Sequence, residues 1–281
     1  MTIVATWLNR ESGVPRLWSV SDSRLSLPSS VFDFGAKLFS IRLSCLEAGP
    51  DGFINKVHFT NTIGFSFAGS SLLGLNLHAL LSHFLGNLTS PTQQREIPSM
   101  EDVANFAKNL LEHLIQEHQM TMVQGTPPVC EVAISGYCIK KSEFQVFHLS
   151  PVPGIGPIQV NVSKIDFSDE QTVHLLGDHK SEIAKLIEDA RLILPEKNIK
   201  WWRAPQNVIE RVIRDKTFST IGGDLQLGFT THFGFQLVSL CRPIEEGKPS
   251  ATFFHQNIDV GSPKFNAIGP CMLNIMAMAP L

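Results

Sequence analysis

Met1-Thr2-Ile3-Val4-Ala5-Thr6-Trp7, and after a short return Ser21-Asp22-Ser23-Arg24, are the stretches whose reading decides the fold. Residues 2–9 carry apolar Ile3, Val4, Trp7 and Leu8 and read as a short strand. Arg10-Glu11-Ser12-Gly13-Val14-Pro15 is a turn cluster with Gly and Pro as punctuation. Residues 16–21 alternate Leu17, Trp18 and Val20 as a second strand, so the hairpin returns Asp22 towards Thr2. Met1 precedes a small residue, and its removal is expected to free the Thr2 α-amine. Thr2 would then hold a hydroxyl nucleophile and a base of unperturbed pKa about 7.7–8.0 on one residue.

Outward from the hairpin, Val31–Ile41 sets Lys37 just before an apolar strand, and Gly64–Ala68 is a strand running into the small-residue turn Gly69-Ser70-Ser71. A helix is expected at 70–88 and a polar loop at 89–98. A second helix follows, opened by Ser99 with Asp102 three residues on, a capping-box-like pair. Val103, Phe106, Ala107, Leu110 and Leu114 make its apolar face. Strands are expected near 129–138, 143–149, 158–164 and 171–176, then a helix at 178–193. Pro205 suits the first turn of a further helix bearing Val208, Ile209, Val212 and Ile213. Final strands lie near 224–231 and 234–240. This order suits a layered α+β domain in which helices cover two sheets. No period of 20–50 residues repeats, which argues against a solenoid.

In this order of elements the chain resembles the N-terminal-nucleophile (Ntn) hydrolases of the proteasome β-subunit type, with bacterial proteasome-like threonine peptidases nearest. The residues that carry the resemblance are Thr2, Ser21–Arg24, Lys37 with Leu38, and Ala68-Gly69-Ser70 before a long helix. Ile134–Tyr137 with Phe147–Pro151, and Ser219–Asp224, are similar to the family's central hairpin and late Ser-Gly-Gly segment. The resemblance spans 2–242 and implies a four-layer αββα sandwich, two antiparallel sheets between helix layers. Residues 1–242 are expected to form the Ntn-hydrolase-like domain, with 243–281 an extension packed on it or on a neighbouring subunit.

The resemblance implies a threonine-type hydrolase of peptide or amide bonds working through an acyl-enzyme ester. Thr2 attacks, Lys37 lowers the proton affinity of its hydroxyl and amine, Asp22 holds Lys37 charged, and the Gly69 N–H receives the oxyanion. It also implies a homo-oligomer, a ring or an open helical array, acting on peptide or protein substrates, with an ATPase or other regulator as a possible partner. A catalytically inactive scaffold and a small-molecule amidase are the alternatives. The chain departs from the family at Glu47–Lys56, which looks inserted. It departs again at Leu176-Gly177-Asp178-His179, where Asp178 takes the helper serine's place, and at Ile221, where a serine is expected and Ser219 shifts towards the role.

A net charge of −3 over 281 residues argues against broad nucleic-acid binding. The most apolar stretch, 72–88, is interrupted by Asn76, His78, Ser82, His83 and Asn87, and reads as a buried helix, not a membrane span. Five cysteines without a CxxC pattern suit a reduced, cytoplasmic setting. The pairs His78/His83 and His113/His118 are five apart and do not share a helix face, so neither a metal nor another cofactor is expected. Gly154-Ile155-Gly156-Pro157 lacks dinucleotide-binding spacing and reads as a turn. Trp201-Trp202-Arg203 reads as a loop packed over the core.

Overall fold

The computed structural model describes residues 2–26, 30–92, 94–121, 129–152, 158–242 and 252–278. The turn expected at 154–157 lies outside them. The chain opens with the hairpin β1 (Ile3–Asn9) and β2 (Arg16–Asp22), followed by the short β3 (Leu25–Ser26) and β4 (Val31–Phe32). The long pair β5 (Leu38–Ala48) and β6 (Ile54–Gly69) leads into α1 (Ser71–Leu85), the short β7 (Leu88–Thr89) and α2 (Met100–Thr121). Then come β8 (Cys130–Cys138), β9 (Glu143–Val152), β10 (Gln159–Lys164) and β11 (Val173–Gly177). The helices α3 (Lys180–Leu192), α4 (Ile199–Trp202) and α5 (Ala204–Arg214) precede β12 (Leu225–Thr231) and β13 (Gly234–Arg242). The last elements are β14 (Thr252–His255), β15 (Ile258–Asp259), β16 (Ala267–Ile268), β17 (Cys271–Met272) and β18 (Ala277–Met278).

The opening hairpin forms because its turn and its strand faces agree. Gly13 supplies φ +75° and its N–H closes the turn on the Arg10 carbonyl. The register then opposes Trp7 to Trp18 and Val4 to Ser21. Period two splits β1 between two cores. Ile3, Ala5 and Trp7 face one shared with Ile183 and Ile187 of α3 and Val208, Ile209 and Val212 of α5. Val4 faces the other, with Leu17, Ala68, Ala133, Val146 and Leu176. The Trp7 indole N–H finds the Trp202 carbonyl at 2.8 Å, which fixes α4 over the hairpin.

Two large sheets result, in the orders β11-β1-β2-β12-β13-β14-β15, with β18 beside β13, and β10-β9-β8-β6-β5-β7. The helices α1 and α2 cover the second through Leu73, Leu77, Leu81 and Leu85 and through Val103, Ala107, Leu111 and Ile115. These recur at four-residue spacing, the apolar stripe of a surface helix. The cap at α2 is as the sequence suggests: Ser99 Oγ accepts the Asp102 N–H at 3.1 Å while the Asp102 carboxylate takes the Ser99 N–H at 2.8 Å.

The expected αββα sandwich of two antiparallel sheets is corrected by this architecture. The protein is β-rich, 42% strand to 25% helix, and its described strands pair into four sheets. Both large sheets contain a parallel pair, β5 with β7 and β13 with β18. Two segments read as non-strand account for much of the difference. Glu47–Lys56, taken as an inserted loop, is the continuation and turn of the β5–β6 ladder, where Glu47 pairs Lys56 and Ala48 pairs Ile54. Residues 252–278 add strands to β13, with Cys241 opposite Phe253 and Leu240 beside Met278. Trp201 and Trp202 likewise belong to a helical turn, α4, capped by Asn198, and not to a loop.

Candidate functional site

The ends of β1 and β2 and the start of β5 meet at the Asp22 carboxylate. Its Oδ1 accepts the Thr2 hydroxyl at 3.0 Å, the Ile3 N–H at 3.1 Å and the Lys37 ammonium at 2.8 Å. Its Oδ2 accepts the N–H groups of Arg24 at 3.2 Å and Gly222 at 3.1 Å. Thr2, Asp22 and Lys37 are 3%, 0% and 1% exposed, so this is a buried charged pair compensated by directed hydrogen bonds. With three donors on Oδ1 and two on Oδ2, the Asp22 carboxylate is fixed in place and orients both Thr2 and Lys37. Burial pushes the Lys37 ammonium below the usual lysine range, while Asp22 pulls it back up.

Lys37 is held from behind by Gln226 on β12. The Gln226 carbonyl oxygen accepts the Lys37 and Leu38 N–H groups at 3.0 and 3.2 Å, and its NH2 donates to Gly35 O at 2.7 Å and Asp22 O at 3.3 Å. The Thr2 carbonyl is fixed as well, since the Asp178 N–H reaches it at 2.8 Å. Gly177, just before, has φ +96°, and a Cβ there would overlap the Thr2 carbonyl oxygen, so only glycine lets β11 pass this close. The Gly177 N–H donates to Glu131 at 2.9 Å, and Lys180 holds the same carboxylate at 2.7 and 2.9 Å. Burial acts to raise the Glu131 carboxyl, but the Lys180 hydrogen bond and the Gly177 N–H outweigh it and hold it below the usual range.

The site residues read from the sequence fall as follows. Thr2, Asp22 and Lys37 come together on one carboxylate oxygen. Gly69 ends β6 at φ +104°, and its lack of a side chain is required by the Val129 carbonyl against which a Cβ would press. The preceding Ala68 lies beside Gly177, which links that strand end to Thr2. Asp178 touches Thr2 through its backbone N–H. Ser219 is exposed, and its carbonyl accepts an Arg24 N–H at 3.1 Å, so Gly222 and not Ser219 meets the Asp22 carboxylate. Gly177, Gly222 and Gln226 were missed; the Gly222-Gly223 step was the one signal of a close backbone approach. Among the described residues, no group of three or more His, Cys, Asp or Glu is placed to hold a metal, and no helix is long and apolar enough to cross a membrane.

No family model matches the chain and no curated protein matches it. Among solved structures, the helical assembly of the Anbu complex from Pseudomonas aeruginosa is similar, with a TM-score of 0.55 over 89% of this chain and 88% of that one, at 14% identity. That neighbour is a proteasome-like bacterial subunit, and at this identity the likeness is one of fold alone. The protein therefore shares the fold of that structure. The family resemblance read from the sequence, to Ntn hydrolases and within them to bacterial threonine peptidases, is corrected accordingly: the identity and the absence of a family match leave the distant structural likeness in its place.

Proposed function

We propose that the protein is a threonine-type amide hydrolase that cleaves peptide bonds once removal of the preceding residue frees the Thr2 α-amine. The observation that carries this reading is the shared oxygen: Asp22 Oδ1 holds both the Thr2 hydroxyl and the Lys37 ammonium. The nucleophile and the cation thus lie within the sum of two hydrogen-bond lengths of each other. The Lys37 charge favours the developing alkoxide, and it opposes protonation of the α-amine, which keeps that amine available as the base.

In the reaction, Thr2 Oγ bonds to the substrate carbonyl carbon as its proton passes to the α-amine. The carbonyl π electrons move onto oxygen, for which the Gly69 N–H at the end of β6 is the assigned donor. Collapse breaks the C–N bond, and the ammonium returns the proton to the leaving amine. Water then attacks the ester, giving its proton to the amine, and the Thr2 hydroxyl is regenerated as the C–Oγ bond breaks. The fold likeness to a helical assembly supports self-association into a ring or helical array.

The test is intact mass after exposure to a peptide epoxyketone, which closes a ring with a free threonine amine and hydroxyl together. One stoichiometric adduct on a chain beginning at Thr2 is expected, with none on Thr2→Ala. Undiminished peptide hydrolysis by Thr2→Ala would overturn the assignment. One observation favours a second reading, a silent assembly subunit: neither Ser219 nor the Asp178 side chain is hydrogen-bonded to the Thr2 hydroxyl, which among the described residues is held by Asp22 alone. That reading expects no adduct, and light scattering that is unchanged between wild type and Thr2→Ala.

A further inference from the structure

Arg191 lies in the last turn of the 13-residue helix α3, at the end away from Thr2 at about 1.5 Å per residue. It is only 7% exposed, and its guanidinium lies over the Trp201 ring at 4.3 Å. One nitrogen, Nη1, donates to the Gln171 carbonyl at 2.7 Å. The buried Nε and Nη2 have no hydrogen-bond partner. These two N–H groups form the side-on fork that matches a carboxylate. The same edge is used three times elsewhere in this chain: Arg24 on Asp33, Arg95 on Glu47 and Arg203 on Glu11 each place Nε on one carboxylate oxygen and Nη2 on the other. Burial depresses the Arg191 guanidinium to about 10, with the more distant Asp169 charge offsetting part of the effect.

Arg191 lines a cavity of about 540 Å³ between α3, β11 and the α4 turn. Ala184, Ile187, Glu188 and Arg191 recur at three- and four-residue spacing, so one stripe of α3 forms a wall. Leu194 and Trp201 add apolar surface, and Glu188 and Glu196 add negative charge. A simple anion entering here would meet two carboxylates as well as one guanidinium. A ligand with a carboxylate for Arg191, a cation for Glu188 and Glu196, and an apolar portion for Ile187, Leu194 and Trp201 satisfies every part of the lining.

We propose that this cavity binds a free α-amino acid with an apolar side chain, its carboxylate seated on the Nε/Nη2 edge of Arg191. The site is separate from Thr2 and does not depend on the hydrolase reading.

The test is calorimetric titration of the full chain with L-leucine, leucinamide, N-acetyl-leucine and glycyl-leucine. Leucine should bind saturably at one site. Leucinamide, which lacks the carboxylate, and N-acetyl-leucine, which lacks the ammonium, should each bind at least about tenfold more weakly. In Glu188→Gln/Glu196→Gln the penalty for acetylation should vanish while the penalty for amidation remains. Arg191→Lys keeps a charge without the fork and should also lose about tenfold. If that variant fails to fold, the ligand series on the wild type and the double glutamine variant still decide. Equal binding of leucine and leucinamide, or no saturable heat to about 10 mM, would overturn the proposal. Tighter binding of glycyl-leucine would overturn it in favour of a peptide terminus.

Discussion

Replacing Asp22 by asparagine tests how far the buried centre depends on a doubly accepting, charged carboxylate. The amide has nearly the same shape, but one of its edges now donates. Oδ1 serves three donors and Oδ2 two, so the less costly orientation turns the NH2 against the N–H groups of Arg24 and Gly222. A buried donor left without an acceptor costs about 1–3 kcal/mol. Leaving a buried ammonium such as Lys37 beside a neutral group costs about 3–5 kcal/mol. The two effects overlap, which gives about 5 kcal/mol for Asp22→Asn, comparable to the whole stability of a marginal domain.

Urea unfolding followed by tryptophan fluorescence reads this directly. Trp7, Trp18, Trp201 and Trp202 are each 5% exposed or less and sit on β1, β2 and α4. At a slope of about 3 kcal/mol per molar urea the midpoint should fall by nearly 2 M. Lys37→Met in the same background removes the stranded charge, so the double variant should be more stable than the sum of the single effects, by about 2 kcal/mol or more. A loss under about 1 kcal/mol in Asp22→Asn, or strict additivity with Lys37→Met, would refute the view that Asp22 and Lys37 stabilise each other inside the fold.

Three further outcomes are expected. Burial, reinforced by His148 at 4.8 Å between ring centres, lowers the His174 imidazole from 6.5 to about 4; the unfolded chain therefore binds the extra proton in that interval, and stability should fall as pH drops from 6.5 towards 4, by roughly 3 kcal/mol in all. Unfolding of His174→Phe against pH should lack that component, and an unchanged profile would contradict it. Gly177→Ala should cost about 3 kcal/mol or more and abolish epoxyketone labelling, because it combines positive φ with overlap on the Thr2 carbonyl, whereas Gly13→Ala, with positive φ and open space, should cost about 1 kcal/mol; paired thermal melts compare them. Gln226→Leu removes the acceptor of the Lys37 and Leu38 N–H groups and the donor to Gly35, and should lose about 3 kcal/mol in urea unfolding without changing the secondary structure seen by circular dichroism.

Local rules made the first half of the site legible. The Arg10–Pro15 turn and the alternation of residues 16–21 were enough to bring Asp22 back to Thr2, and the Ser99–Asp102 pair marked the start of α2. The order of the longer strands and helices through β13 could also be read, because each has its own period and punctuation, whereas the short β3, β4, β7 and α4 could not. What escaped depends on distant partners. Glu47–Lys56 is polar and Gly-containing, yet it pairs as strand because the long β5–β6 ladder carries it beyond the core. Residues 252–278 show no strong alternation and acquire strand geometry from the free edge of β13. Gly222 and Gln226 reach Asp22 across about two hundred residues, and nothing local to either one announces a carboxylate or a lysine. Arg191 sits in the last turn of an ordinary amphipathic helix; its unmatched edge exists only in the packed structure.

The five donors on Asp22 also impose a schedule. Four of them come from the first 37 residues, but the fifth, Gly222, and the Gln226 that steadies Lys37 are supplied some 200 residues later. A ribosome adding about 5–20 residues per second needs about 10–40 s to deliver them after Asp22 has emerged. Throughout that interval the Thr2 hydroxyl has its neighbour from β2 but not the finished cradle around it. The nascent chain is thus born without the complete set of contacts around Asp22, and acquires it only when most of the strands and helices around that carboxylate have been made.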